Sequence, residues 1–235
     1  MTTKKIVYFA IAAALGLGVG LLSTAGKAQQ RFDHVVRNDF FAAFAGDKEA
    51  LARGMDACEK ILAENPKHAE AMVWHGTGIF LQAGQHFMSG NSEKGMEVYQ
   101  KAMAQMDEAV KLEPDNIGVR IPRGAALLGA ARSMGKNNPV VPELFQRALD
   151  DHMRAFELQK NDLDKMGTHP KGELLFALGD VNSRLGKPGE AAKFFQLILD
   201  KLPNTPYARR ANTWMETKQP LPVNQTGCIG CHASN

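Results

Sequence analysis

The chain has 235 residues, 44% of them hydrophobic and 23% charged, a balance that fits a soluble globular protein and excludes disordered or collagen-like sequence. Aromatics make up only 7%, so the core must be built mainly from Ala, Leu, Met and Ile, which favours helices over a β-sandwich. The formal net charge is +3, but Lys4, Lys5 and Lys27 all lie in the first 28 residues. Without them 25 basic side chains face 25 acidic ones, and no basic footprint for nucleic acid remains.

The first 28 residues read as an export signal. Lys4 and Lys5 give a positive start, residues 6–22 form an uncharged apolar run, and Ser23-Thr24-Ala25-Gly26-Lys27-Ala28 supplies a small-residue exit. Cleavage is expected after Ala28. If the segment is retained instead, it serves as an N-terminal membrane anchor. Either way the bulk of the chain lies across a membrane from the cytoplasm.

From about Asp33 to Met215 apolar residues recur three and four apart, with no run of period-two alternation. Breakers separate these stretches at Gly46-Asp47, Asn65-Pro66, Gly90-Asn91, Glu113-Pro114-Asp115-Asn116, residues 135–142, His169-Pro170, Gly186-Lys187-Pro188 and Leu202-Pro203-Asn204. Amphipathic helices of similar length between such breakers predict helical hairpins and an all-α fold over residues 33–216. A first hairpin keeps Ala57, Ile61 and Pro66; a second is marked by Trp74, Gly78, Leu81, Ala102, Met106, Ala109 and Pro114. A third carries Gly124, Leu127, Ala148 and Phe156. In the second and third, twelve more residues part the Gly from the Ala than part Gly179 from Ala191, which predicts inserted loops at residues 84–95 and 135–142. The fourth has Leu175, Leu178-Gly179, Ala191, Phe195, Ile198 and Pro203, and Pro206 to Lys218 reads as a closing helix with Tyr207, Ala211 and Trp214 on its inner face.

The fourth hairpin resembles the tetratricopeptide repeat at the correct offsets, with Leu175 in place of its Trp and Asn182 in place of its Tyr. The match is good over about 35 residues and partial over roughly 170. The resemblance implies a stack of antiparallel hairpins whose concave face grips other proteins. Cys58 stands at a second-helix apolar position and reads as a buried packing thiol, Met103 and Met106 read as core fillers, and the charged stretches 47–60 and 150–165 read as solvated helix faces.

The chemistry lies in the tail, residues 217–235. Cys228-Ile229-Gly230-Cys231-His232 is the C-x-x-C-H spacing of c-type haem attachment, which composition alone would produce in about one chain in a thousand. Two residues between the cysteines span the gap between the two former vinyl groups, and the adjacent His is placed to ligate iron. The resemblance to c-type cytochromes implies one covalent haem c held by Cys228 and Cys231, with His232 as axial ligand, and a periplasmic location. Only Ala233, Ser234 and Asn235 follow the motif, and residues 219–227 are too short and polar to build a haem pocket alone. The tail is therefore expected to lay the haem against the helical stack or present it to a partner. For the far side of the iron the sequence offers Met215, His169 and His75, or an open or partner-supplied position. His75 follows Trp74 at an offset expected to face the groove.

No nucleophile–base pair, phosphate loop or paired acids argue for an enzyme. The leading expectation is an exported electron-transfer or redox-docking protein whose partners are redox proteins. The alternatives are a haem-free adaptor with a Cys228–Cys231 disulfide, and a haem sensor with an open iron position.

Overall fold

Nine α-helices account for most of the described residues, 31–135 and 137–226, of the computed structural model, and no strand occurs among them. The segment 1–28 and the C-x-x-C-H motif lie outside these residues. In chain order the helices are α1 (Asp33–Phe44), α2 (Lys48–Glu64), α3 (Ala69–Met88), α4 (Ser92–Leu112) and α5 (Ile117–Ser133). They continue with α6 (Val141–Gln159), α7 (Thr168–Arg184), α8 (Pro188–Lys201) and α9 (Pro206–Thr217). Short 3-10 turns cover Lys160–Lys165 and Val223–Gln225. Among the described residues no helix is long and apolar enough to cross a membrane.

The helix starts follow from local chemistry. The Asp47 carboxylate accepts from the Glu49 and Ala50 amides at 2.9 Å, and Asn116 accepts from Gly118 N at 2.7 Å. Asn91 and Thr205 cap α4 and α9 in the same way, and Pro188 and Pro206 begin α8 and α9 where a missing N–H costs nothing. Gly46, Gly90 and Gly186 turn the chain within hairpins at φ +101°, +81° and +69°, a backbone region that a side chain resists.

Helices α1–α2, α3–α4, α5–α6 and α7–α8 pair as hairpins. Each even helix also packs on the next odd one, and α1, α3, α5, α7 and α9 touch in sequence. The result is a hairpin stack closed by α9. Its core is the expected one: Cys58, Met106, Leu175, Leu178, Ala191, Phe195, Ile198 and Ala211 are wholly buried, with Trp214 at 1% exposure. The rings of Phe195 and Trp214 lie 4.7 Å apart, which seats α9 on the last hairpin.

Two expectations need correction. Residues 84–95 are not an inserted loop: Gly84 lies inside α3 and Gly95 inside α4, and the turn is only Ser89-Gly90-Asn91. The twelve additional residues lengthen both helices, because buried Phe80 and Ala83 carry the core-facing side of α3 onward and Phe87 covers the Gly95 backbone. Gly78 lies under Met55 and Phe40 of the preceding hairpin, while Gly76 lets α3 approach Met106. Stretch 150–165 is not wholly solvated, since Asp151 and His152 are buried. Asp151 accepts from Arg123 Nε and Nη2 at 2.7 Å and from Arg120 Nη1 at 2.8 Å. Arg123 Nη1 also reaches Asp107 at 2.7 Å, so one ion network joins α4, α5 and α6. By contrast, the expected connection between α5 and α6 is present, running from Met134 to Val140 with Pro142 already in the first turn of α6.

Candidate functional site

Cys228, Cys231 and His232 lie outside the described residues, but the chain that delivers them is placed as far as Thr226. Helix α9 stops at Lys218, whose left-handed backbone (φ 53°) turns the chain back and whose N–H donates to Trp214 O at 2.7 Å. Its ammonium sits 4.9 Å from the centre of the Trp214 ring. Leu221 is then buried at 4% exposure and Thr226 at 5%.

Two arginines hold this returning segment. Arg184, the last residue of α7, donates from Nη2 to Leu221 O at 2.7 Å. Arg132, in the last turn of α5, donates from Nη1 to Thr226 O at 3.3 Å. The Nε groups of both arginines converge on a single acceptor, Asp180 Oδ2, each at 2.8 Å. Asp180 is nearly inaccessible, with 1% of its side chain exposed. Burial lowers the Arg132 pKa, and the Asp180 carboxylate beside it opposes that shift. The tail is thus fixed to α5 and α7 by charge-assisted bonds, each stronger than a neutral one.

Beside this clamp lies a cleft of about 420 Å³, within the range of small-molecule and cofactor sites. Met134, Val141, Phe145, Leu185 and Pro220 give it apolar walls, and Arg132 and Arg184 add two guanidiniums. The Arg184 guanidinium carbon is 6.0 Å from the centre of the Phe145 ring. Cys228 is two residues beyond Thr226, so covalent geometry keeps its Cα within about 7 Å of the Thr226 Cα.

The residues singled out for the far side of the iron fall elsewhere. His169 is in the first turn of α7, with Nδ1 2.9 Å from Tyr207 Oη and 4.0 Å from Glu173 Oε1. The cleft is at the other end of that helix, about 22 Å away at 1.5 Å per residue. His75 points between α2 and α4, with Nδ1 2.9 Å from Gln105 Oε1 and Nε2 3.3 Å from Glu59 Oε1. Both ring nitrogens are engaged there. Met215 packs against the core from α9, and its sulfur lies 3.5 Å from Lys218 Nζ.

The clamp and Met134 were not singled out by sequence. Asp180 and Arg184 stand four apart on one helix and were legible as an i,i+4 pair. Arg132 is 48 residues from Asp180, and nothing local marks that pairing. No protein-family model matches the chain, and no curated protein is detectably similar to it.

Proposed function

We propose that this chain is an exported tetratricopeptide-like scaffold that carries one covalent c-type haem on its C-terminal tail and exchanges electrons with a protein partner. The observation that carries this reading is the C-x-x-C-H motif, spaced for haem attachment and lying two residues beyond a segment clamped onto the helical stack. Cys228 and Cys231 would hold the group through thioether bonds, each S–H adding across one vinyl group, so that no oxidant would be required. His232 would ligate its iron. When bound, the group supplies a one-electron ferric–ferrous couple, its reduction matched by oxidation of the partner. The chain's own residues orient and shield: Arg132 and Arg184 fix the tail, while Met134, Val141, Phe145 and Leu185 offer an apolar surface close to the attachment point. That donor set and those walls suit a flat apolar macrocycle with acidic side arms.

The stack supports the partner half of this reading, since hairpin arrays present extended surfaces used to grip other proteins. The export-signal pattern supports a periplasmic location, with an inner-membrane anchor if residues 1–28 are retained.

Haem staining of the denatured chain, produced with a c-type maturation system, tests the reading beside a variant with both Cys228 and Cys231 changed to Ala. Haem that survives denaturation in the wild type and disappears from the variant is the expected result. A haem-free wild type overturns it and leaves a scaffold with a tail disulfide.

A further inference from the structure

Resting on the haem reading above, we propose that the cleft between the α5–α6 connection and the end of α7 houses the haem of residues 228–232, and that the Met134 thioether is its far-side iron ligand. Three observations converge. The first is reach: Thr226 O is bonded to Arg132, a residue of the cleft wall, and only Gly227 intervenes before Cys228. An attachment point held within about 7 Å of Thr226 leaves the haem beside this wall.

The second is complementarity. Val141, Phe145, Leu185 and Pro220 match the apolar macrocycle, and burying it there removes from water a surface that the polar tail cannot cover. Two guanidiniums against the single Asp180 carboxylate leave one net positive charge at the cleft, the sign that haem propionates require.

The third is ligand chemistry. Of the nine described residues lining the cleft, Met134 alone has a side chain of a kind that ligates haem iron. It follows the last residue of α5 with extended backbone, and it is only partly buried. A thioether is a soft donor that favours the ferrous state and raises the potential relative to a second imidazole. His169 and His75 are turned to partners elsewhere in the stack, and Met215 is not part of the cleft wall.

The test is the visible spectrum of the full-length ferric holoprotein, compared with Met134→Leu, Met215→Leu and His169→Gln. The wild type is expected to show the weak far-red charge-transfer band of thioether-ligated ferric haem. Met134→Leu, close in volume, is expected to keep its haem on a denaturing gel and its thermal midpoint, lose that band and bind carbon monoxide in the ferrous state. The other two variants are expected to retain the band. A wild type without the band, a band that persists in Met134→Leu, or one lost in Met215→Leu overturns the assignment while leaving the c-type reading intact. Failure to retain any haem on the denaturing gel overturns the c-type reading itself, so the two failures are told apart.

Discussion

Asp180 of α7 and Arg132 of α5 meet at 2.8 Å although 48 residues separate them, and the same carboxylate oxygen accepts from Arg184. The other ends of the two guanidiniums hold the carbonyls of Thr226 and Leu221. One buried carboxylate therefore sets the path of the tail. Removing it in Asp180→Ala leaves two buried guanidiniums uncompensated, which costs on the order of 3–5 kcal/mol. Asp180→Asn keeps the shape and one acceptor oxygen, so its cost is smaller. Urea unfolding measures both losses, and limited proteolysis of residues 218–226 reports the release of the tail. Equal protection of that segment in Asp180→Ala and wild type would contradict the clamp.

Gly179 lies beneath the buried Phe195 ring, and a Cβ there would stand 2.7 Å from ring carbons Cε1 and Cζ. Phe195 has little freedom to retreat, because Trp214 packs against it from α9. Gly179→Ala is expected to destabilise by about 1–3 kcal/mol through overpacking. Gly129, in the interior of α5, has nothing within 4 Å of the same position. Gly129→Ala therefore gains helix propensity, and the thermal midpoint should rise by an amount equivalent to about 1 kcal/mol or less. The two substitutions should shift the midpoint in opposite directions.

Hairpin order was readable because punctuation in this chain is chemical: Gly46, Gly90 and Gly186 take positive φ, and Asp47, Asn91 and Asn116 cap the helices that follow. Gly84 and Gly95 misled because a helix-interior glycine costs only about 1 kcal/mol, less than the continuing α3 core contacts contribute. The charged run at 150–165 hid a buried acid, because the two arginines around Asp151, Arg120 and Arg123, come from α5, and Arg123 continues to Asp107 of α4. Helical phase sets His75 about 100° round α3 from Trp74, but it does not say which neighbouring helices lie there. The tail clamp and Met134 depend on contacts across dozens of residues, and no local period records those.

His152 is buried on α6, and its Nδ1 donates to Ala148 O at 2.7 Å. Burial lowers its pKa below the usual 6.5, outweighing the Ala148 carbonyl and the Asp151 carboxylate, which favour the charged form; Arg132 opposes it as well. The folded chain therefore refuses a proton that the unfolded chain accepts. Stability is fully present above the ordinary histidine pKa and is lost as pH falls below it toward the depressed folded value. Urea midpoints should fall between about pH 7.5 and pH 5, and His152→Met should flatten that decline over the upper part of this range. An unchanged slope in the variant would assign the acid sensitivity to other groups.

Cys58 has no exposed surface, and burial, with a smaller contribution from Glu59, pushes its thiol from 9.0 up to about 12. Its thiolate is thus about a thousand-fold scarcer than that of an ordinary cysteine at any pH below 9. A thiol-specific reagent at about pH 8 should leave Cys58 untouched in the folded chain and label it fully in denaturant. The same shift fixes a second pH dependence of opposite sense to that of His152. The folded state holds the thiol proton more tightly, so this contribution is present below pH 9 and is lost as pH rises toward about 12. On the proposed reading the compartment is oxidising, and the two tail cysteines have to stay free to meet haem. A third thiol that is both inaccessible and protonated does not compete for them. Cys58→Ser places a hydroxyl in an apolar site and is expected to lower stability by roughly 1–3 kcal/mol. Cys58→Ala is expected to be milder, and to leave haem attachment at Cys228 and Cys231 unchanged on a denaturing gel.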